Sequence, residues 1–202
     1  MIKQAIIPLA GLGTRLLPLT SVFAKELLPI NGKPGIEYIL DECIDAGIKE
    51  VIFIISQKKL MIKKYFYNDK FYKDIIKKKN ELRIINEYKK ILKYKKMIKF
   101  VFQEKPLGTG DAVLKTKKLI VDKYFLMLLP DDLIIKKNCT KSMIDIHKKF
   151  NTSVMASMKI NKKDISRWGV YDVKKKIDNN NFIIKSVVEK PSIKTAPSNN
   201  VV

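Results

Sequence analysis

The sequence AGLGTRLLP at residues 10–18 comes directly after a mostly apolar run at residues 2–9. The apolar run predicts a buried strand, and the glycines predict a sharp loop at its end. Gly11 and Gly13 lack a Cβ atom, so the backbone can turn tightly there and approach a ligand closely. Backbone N–H groups in such a loop can face phosphate oxygens, so we predict a phosphate-binding loop.

Two positive side chains follow the glycines. Arg15 carries a planar set of donors that suits phosphate, and Lys25 adds a second positive charge. The chain lacks the P-loop pattern Gly-x-x-x-x-Gly-Lys-Ser/Thr, and Leu16 stands where the dinucleotide-binding motif requires its third glycine. The glycines, Arg15 and Lys25 together therefore predict a loop of another kind that binds a polyphosphate.

Alternating strand and helix patterns follow the loop, and this alternation is typical of α/β folds. We predict strands at residues 2–9, 51–55, 98–102, 124–129 and 153–160, and helices at residues 36–46, 58–66, 111–119 and 139–150. Residues 168–173 and 182–188 predict a hairpin. The lysine-rich residues 68–96 predict peripheral helices with solvated charges. At 202 residues the chain can form one sizeable core, so we predict a single domain over residues 1–202.

The formal net charge of +21 raises the question of nucleic-acid binding. Only Arg15, Arg83 and Arg167 are arginine, so lysine supplies 38 of the 41 positive residues and is scattered along the chain. Isoleucine and asparagine are also abundant, which indicates a drift toward AT-rich codons. We expect non-specific adhesion to polyanions at low salt and no specific nucleic-acid partner.

The cysteine pattern bears on location. Cys43 and Cys139 have neither zinc-site spacing nor a CxxC partner, so we predict a reduced, cytoplasmic protein. No apolar run reaches the roughly 20 residues of a membrane span. The first residues enter a strand pattern directly, without a signal-peptide pattern. We therefore expect no membrane partner.

Two aspartates, Asp131 and Asp132, follow the predicted strand at residues 124–129. In open α/β sheets, ligands bind beside the carboxyl ends of the strands. Carboxylate oxygens suit a hard cation such as Mg²⁺, which also takes phosphate oxygens. Paired aspartates after a strand are also common in exposed turns and helix caps, so these residues alone leave both interpretations open.

A second polar loop spans residues 103–110. The amide of Gln103 offers both a donor and an acceptor, which suits the edge of uracil. Gly108 permits close approach of the backbone to a base. Without further context, an ordinary polar surface loop is the commoner explanation of such a segment.

The full set of motifs resembles the signature of the sugar-1-phosphate nucleotidyltransferases. AGLGTRLLP, the sequence AKELLP at residues 24–29 and the sequence EYILDECIDAGI at residues 37–48 are similar to the bacterial members that use UTP and glucose 1-phosphate. Ala24 departs from the family, which usually has proline before the lysine. The resemblance covers residues 6–199 apart from the lysine-rich region.

The resemblance implies a fold and a reaction. The fold is a Rossmann-like nucleotidyltransferase α/β/α sandwich with a mainly parallel central sheet. The reaction is transfer of a uridylyl group from UTP to α-D-glucose 1-phosphate, which gives UDP-glucose and pyrophosphate with Mg²⁺ as the cofactor. For a complete chain, the resemblance also implies a homo-oligomer.

The resemblance further assigns residues to each ligand. The catalytic residues at the triphosphate are Arg15 and Lys25. The residues that bind the nucleotide are Ala10, Gly11, Gly13, Gln103 and Gly108. The residues that bind the sugar phosphate are Gly169, Glu189 and Lys190. The metal ligand is Asp131, and Asp132 is expected to lie next to it without contacting the metal directly.

Similarity ends near residue 199, where family members continue through a further strand and C-terminal helices. We therefore predict a C-terminally truncated member. Three alternatives stay open: a thymidylyltransferase-type sister enzyme that uses dTTP, an inactive truncated nucleotide-binding remnant, and a nucleic-acid binder driven by lysine. The glycine string and the helix sequence at residues 36–48 favour UTP over dTTP.

Overall fold

The computed structural model describes residues 2–135 and 137–202. The strands are β1 (Gln4–Pro8), β2 (Pro29–Ile30), β3 (Lys33–Pro34), β4 (Glu50–Ile55), β5 (Ile98–Phe102), β6 (Leu126–Met127), β7 (Met158–Lys159), β8 (Gly169–Lys176), β9 (Phe182–Glu189) and β10 (Asn200–Val201). The helices are α1 (Gly35–Asp45), α2 (Leu60–Tyr67), α3 (Asp69–Lys79), α4 (Leu82–Met97), α5 (Thr109–Lys115) and α6 (Cys139–Phe150). The chain divides into two units, one ending at Ile144 and one running from Asp145 to Val202. The single-domain prediction stays a prediction.

The first unit is built on a parallel sheet with the strand order β5-β4-β1-β6. Residues 51–55 of β4 are fully buried, because both faces of the sheet are covered. Phe53 belongs to the larger core cluster, whereas its neighbour Ile54 packs with Ala112 of α5 in a second cluster. A strand buried on both faces is continuously apolar, which is why this run does not alternate. The prediction of an α/β fold with a mainly parallel central sheet is confirmed.

The strand order switches direction at β1. The chain adds β4 and then β5 on one side of β1 and returns to place β6 on the other side. In open α/β sheets, ligands bind at such a switch in strand order, beside the carboxyl ends of the strands. The segments that leave β1 and β6 both start at this edge of the sheet. The topology thereby brings the glycine loop and the two aspartates to one place.

Helix α1 ends as its sequence predicts. The Gly47 N–H donates to the Ile44 carbonyl and the Ile48 N–H donates to the Cys43 carbonyl, each at 3.0 Å. Gly47 has φ +83°, a left-handed conformation that glycine adopts without strain. This pair of bonds is the Schellman arrangement, which satisfies the last carbonyls of a helix.

Some elements differ in length from the prediction. β6 and β7 each span two residues, and each pairs with a single neighbour. Helix α5 starts two residues earlier than predicted and ends at Lys115. Beyond it the chain turns, and the Thr116 hydroxyl donates to the Val113 carbonyl at 2.7 Å. The bounds of the shortest strands and of helix ends depend on neighbours in the fold, so they were the least accurate part of the prediction.

The lysine-rich segment forms helices α3 and α4, as predicted. Among the described residues, α3 has none that is buried, whereas α4 places Ile91, Tyr94 and Met97 in the core. The rings of Tyr72 and Tyr88 stack between the two helices with centroids 5.1 Å apart. Nowhere in residues 2–135 and 137–202 is there a helix both long and apolar enough to cross a membrane.

The second unit contains an antiparallel sheet with the order β7-β10-β8-β9. The predicted hairpin forms between β8 and β9. The Asp178 carboxylate accepts bonds from the backbone N–H groups of Asn180 and Asn181 and so closes the turn. β10 was not predicted, and it inserts between β7 and β8. Ile165, Val170 and Val201 form the small core of this unit.

Candidate functional site

The glycine loop leaves β1 after Leu9, whose N–H donates to the Ile54 carbonyl at 2.7 Å. Ala10 is buried, and the chain then forms three short 3-10 turns, at Thr14–Leu16, Leu19–Ser21 and Lys25–Leu27. The segment that follows β1 is therefore a loop of short turns. Such turns keep several N–H groups outside regular hydrogen bonding, which suits an anion.

The two glycines of the loop have different structural requirements. Gly13 has φ +70°, and a Cβ built on it would lie 3.1 Å from Cγ2 of Thr20. The Thr20 hydroxyl donates to the Gly13 carbonyl at 2.8 Å and holds the turn closed. A side chain at Gly13 would be strained by the backbone conformation, and the Thr20 side chain would have to shift by a few tenths of an ångström to make room. A Cβ on Gly11 would meet no atom within 4 Å, so this glycine leaves open space beside the loop.

The centre of the site is an ion pair between Lys25 and Asp131. The Lys25 Nζ lies 2.8 Å from Oδ2 of Asp131, although the two residues are 106 positions apart in the chain. The Lys25 side chain is 21% exposed and that of Asp131 is 57% exposed. The pair is therefore accessible from solvent on the carboxylate side. Phosphate oxygens and a cation could take over these two partners.

The surroundings of Asp131 and Asp132 shift the pKa values of the two carboxyls in opposite directions. Burial opposes ionisation of Asp131, but the hydrogen bond and charge of Lys25, with a contribution from Arg15, hold the pKa of its carboxyl below the usual value. Burial, and then the charge of Asp131, raise the pKa of the Asp132 carboxyl. Asp131 is thus the better anionic ligand of the two, which agrees with the predicted order. Arg15 is exposed and contributes to the same field.

A buried ion pair lies beside Lys25 and was not predicted. The Lys59 ammonium donates to both carboxylate oxygens of Glu26, at 2.7 and 2.8 Å, and Glu26 is in the same turn as Lys25. The Glu26 side chain is 1% exposed and that of Lys59 is 9% exposed. Burial lowers the pKa of the Lys59 ammonium, and the charge of Lys25 acts in the same direction, against the attraction of Glu26 and Asp131. An acidic residue directly before the two leucines of AKELLP was the one sequence signal for this pair.

The Gln103 amide is held from two sides. Its Nε2 donates to Oδ2 of Asp111 at 2.7 Å and to the Gly108 carbonyl at 3.2 Å. Gln103 is buried, and its backbone N–H donates to the Ile55 carbonyl at the end of β4. Gly108 has φ +94° and precedes α5. The structure thus brings the predicted Gln103 and Gly108 together and adds Asp111, which sequence reasoning treated only as a residue near a helix start.

The three residues assigned to the sugar phosphate lie in the second unit. Gly169 pairs with Glu189 across β8 and β9, and a Cβ on Gly169 would lie 3.2 Å from Oε2 of Glu189. Lys190 follows with φ +44°, and its Nζ lies 3.4 Å from Oε1 of Glu189. The Lys190 N–H donates to the Trp168 carbonyl at 3.0 Å. A lysine in the left-handed region is strained, and such strain is often found at binding sites.

The carboxylates are suited to one kind of metal site. Within residues 2–135 and 137–202, no group of three or more His, Cys, Asp or Glu side chains is placed to hold a metal. Mg²⁺ is commonly bound through one or two carboxylates together with substrate phosphates, rather than by a cage of protein ligands. Asp131, accessible and held anionic beside the glycine loop, fits that donor set.

Comparison with known proteins adds a family and close relatives. A family model described as nucleotidyl transferase matches residues 4–202. UTP–glucose-1-phosphate uridylyltransferase 2 of Streptococcus pyogenes serotype M3 is 32% identical in an alignment of 202 positions, which covers 98% of this chain and 67% of that protein.

Solved structures agree with this similarity. The UTP-bound UGPase from Acinetobacter baumannii superposes with a TM-score of 0.91 at 30% identity, covering 100% of this chain and 72% of that one. A UDP-glucose pyrophosphorylase complexed with UDP-glucose superposes with a TM-score of 0.82 at 30% identity, covering 100% of this chain and 74% of that one.

Proposed function

Because the chain belongs to the nucleotidyl transferase family, we propose that it transfers a uridylyl group from UTP to α-D-glucose 1-phosphate. The products are UDP-glucose and pyrophosphate. The observation that carries the proposal is the meeting of Lys25 and Asp131 at 2.8 Å beside the glycine loop, at the switch in strand order. The names of the relatives support UTP and glucose 1-phosphate as the substrates.

The step requires no nucleophile from the protein. A phosphate oxygen of glucose 1-phosphate, already ionised, attacks the α-phosphorus of UTP. A new phosphorus–oxygen bond forms, the bond to the oxygen that bridges to the β-phosphate breaks, and pyrophosphate leaves. The tasks left to the chain are to align the reactants and to neutralise the phosphates. Arg15 and Lys25 neutralise the triphosphate. For this, Lys25 exchanges its ion pair with Asp131 for contacts with phosphate oxygens.

Asp131 is the residue that would hold Mg²⁺, together with phosphate oxygens of the substrates. When bound, Mg²⁺ supplies positive charge to the phosphate oxygens. In their ion pair, Lys25 and Asp131 neutralise one another. Gln103 and Gly108 contact uracil, with Ala10, Gly11 and Gly13 along the nucleotide. Gly169, Glu189 and Lys190 remain the residues proposed for glucose 1-phosphate.

We also propose that the protein is cytoplasmic and that it forms a homo-oligomer. Cys43 and Cys139 are both free, which is compatible with the reducing cytoplasm predicted from the sequence. We retain self-association into a homo-oligomer as a proposal, tested by light scattering of the purified chain.

The direct test is turnover by the purified chain with Mg²⁺, glucose 1-phosphate and either UTP or dTTP. Pyrophosphate release and the nucleotide sugar are measured separately, by a coupled assay and by chromatography. We expect UDP-glucose formation with UTP. Preference for dTTP would identify the sister enzyme, and UTP binding without any turnover would identify the inactive remnant.

Gln103→Ala should weaken binding of UTP more than binding of pyrophosphate, because the substitution removes a base contact. Loss of a buried hydrogen bond of this kind costs about 1–3 kcal/mol. Calorimetric titration with each ligand measures the difference, and Gln57→Ala at an exposed position is the matched control. Equal weakening of UTP and pyrophosphate would refute the role of Gln103 in base recognition.

Arg15→Ala and Lys25→Ala should each lower the rate of turnover by about 10²–10³, if the two cations stabilise charge in the transition state. The rate of UDP-glucose formation at saturating substrate is the measurement. Arg83→Ala and Lys58→Ala remove the same charges at exposed positions and should leave the rate unchanged. Rates in Arg15→Ala or Lys25→Ala equal to those of the controls would contradict the assignment.

A further inference from the structure

The Gln103 amide is fixed in one orientation. A side-chain amide has two N–H donors on nitrogen and an oxygen that only accepts. Both donors of Gln103 are used, one by Oδ2 of Asp111 at 2.7 Å and one by the Gly108 carbonyl at 3.2 Å. Both partners are acceptors without a hydrogen to give, so a rotated amide would place its oxygen against two other oxygens. That arrangement loses both hydrogen bonds and is repulsive.

The remaining polar atom of the amide, Oε1, is left for a ligand. None of the described residues donates a hydrogen bond to it. Nor is it among the buried polar atoms that lack a partner in this part of the chain, so it keeps accessible surface. The amide therefore keeps one hydrogen-bond acceptor, and no donor, unpaired by the described residues.

Asp111 is itself held in place by its surroundings. It lies in the first turn of α5, where negative charge is favoured by the helix dipole. The Lys115 ammonium lies 3.8 Å from its Oδ1, one turn along the same helix, which leaves Oδ2 for Gln103. The carboxylate is 20% exposed and so is partly shielded from water. It can direct the amide without contacting the base.

An unpaired acceptor such as Oε1 of Gln103 can distinguish uracil from cytosine. Uracil carries a hydrogen on N3 and donates it, whereas N3 of cytosine is an acceptor. An oxygen facing N3 bonds to uracil and leaves cytosine with two acceptors face to face, an arrangement that a site rejects strongly. Thymine has the same N3–H group, so this contact does not separate UTP from dTTP.

We infer that Asp111 is the positioning residue for base specificity. By holding the Gln103 amide with Oε1 toward the base, it selects a pyrimidine with an N3–H donor over cytosine. The inference rests on the proposed function, since it takes Gln103 to be the base contact.

The test is the ratio of CTP to UTP dissociation constants, measured by calorimetry with Mg²⁺ on the whole chain. In Asp111→Asn the new side chain can donate to Gln103, so only the Gly108 carbonyl still opposes a rotated amide that would offer its N–H to cytosine. We expect the preference for UTP to fall by about tenfold, the value of one hydrogen bond. Asp111→Glu keeps the acceptor and should keep most of the preference. Glu104→Gln removes the same charge from an exposed position of the loop and should change nothing.

A ratio in folded Asp111→Asn equal to that of the unsubstituted chain would overturn the inference and leave the proposed function intact. Failure of the unsubstituted chain to bind UTP would instead refute the proposed function. If Asp111→Asn does not fold, UTP methylated on N3 is titrated against the unsubstituted chain. Binding within about threefold of UTP would overturn the inference, and loss of about tenfold or more would support it.

Discussion

Asp131→Asn is expected to lower Mg²⁺-dependent formation of UDP-glucose by at least about 10³-fold, because it removes both a metal ligand and a charge worth several kcal/mol. The amide keeps the shape of the carboxylate, and Asp131 is 57% exposed, so the fold should not change. The measurements are the rate at saturating Mg²⁺ and the affinity for Mn²⁺ in the presence of UTP, followed by electron paramagnetic resonance.

Asp132→Asn is the matched control, since it makes the same change one residue later. Its effect should be milder, because burial and then the charge of Asp131 raise the pKa of Asp132 and make it the poorer anionic ligand. A larger loss of rate and of Mn²⁺ affinity in Asp132→Asn than in Asp131→Asn would mean that the roles are reversed.

Lys59→Met should lower the free energy of unfolding by about 3–5 kcal/mol, because it leaves the Glu26 carboxylate buried without its partner. The Glu26 side chain is 1% exposed, so water cannot replace the two bonds that Lys59 donates. Glu26 shares its turn with Lys25, and we expect turnover to fall as well. Urea unfolding followed by circular dichroism measures the first effect.

Two variants control for the change at Lys59. Lys58→Met alters an exposed lysine next to it and should leave the urea midpoint in place. Lys59→Met combined with Glu26→Leu removes both charges and should recover much of the lost stability, since replacing both members of a buried pair by apolar groups is often neutral. Equal midpoints for Lys59→Met and Lys58→Met would show that the ion pair contributes no stability.

Most of the first unit follows from local sequence. Residues 51–55 are apolar without alternation, which predicts a strand covered on both faces, and the structure buries them all. The helix stop at Gly47 and the tight turn at Gly13 also need no distant residue, because positive φ favours glycine wherever it occurs. Strand β10 could not be found this way, since it is two residues long and depends on its neighbours β7 and β8.

The candidate site was likewise predicted in part from the sequence and decided in part by the tertiary structure. The residue types of the glycine loop, with Arg15 and Lys25, were enough to predict a polyphosphate, whereas Asp131 as the ligand of a hard cation was implied by the family resemblance. That Lys25 contacts Asp131 across 106 positions was decided by the strand order, which places the ends of β1 and β6 side by side. The partners of Glu26 and Gln103 were likewise decided by packing. A charge or an amide has no periodicity, so its sequence position does not specify which buried partner the fold brings to it.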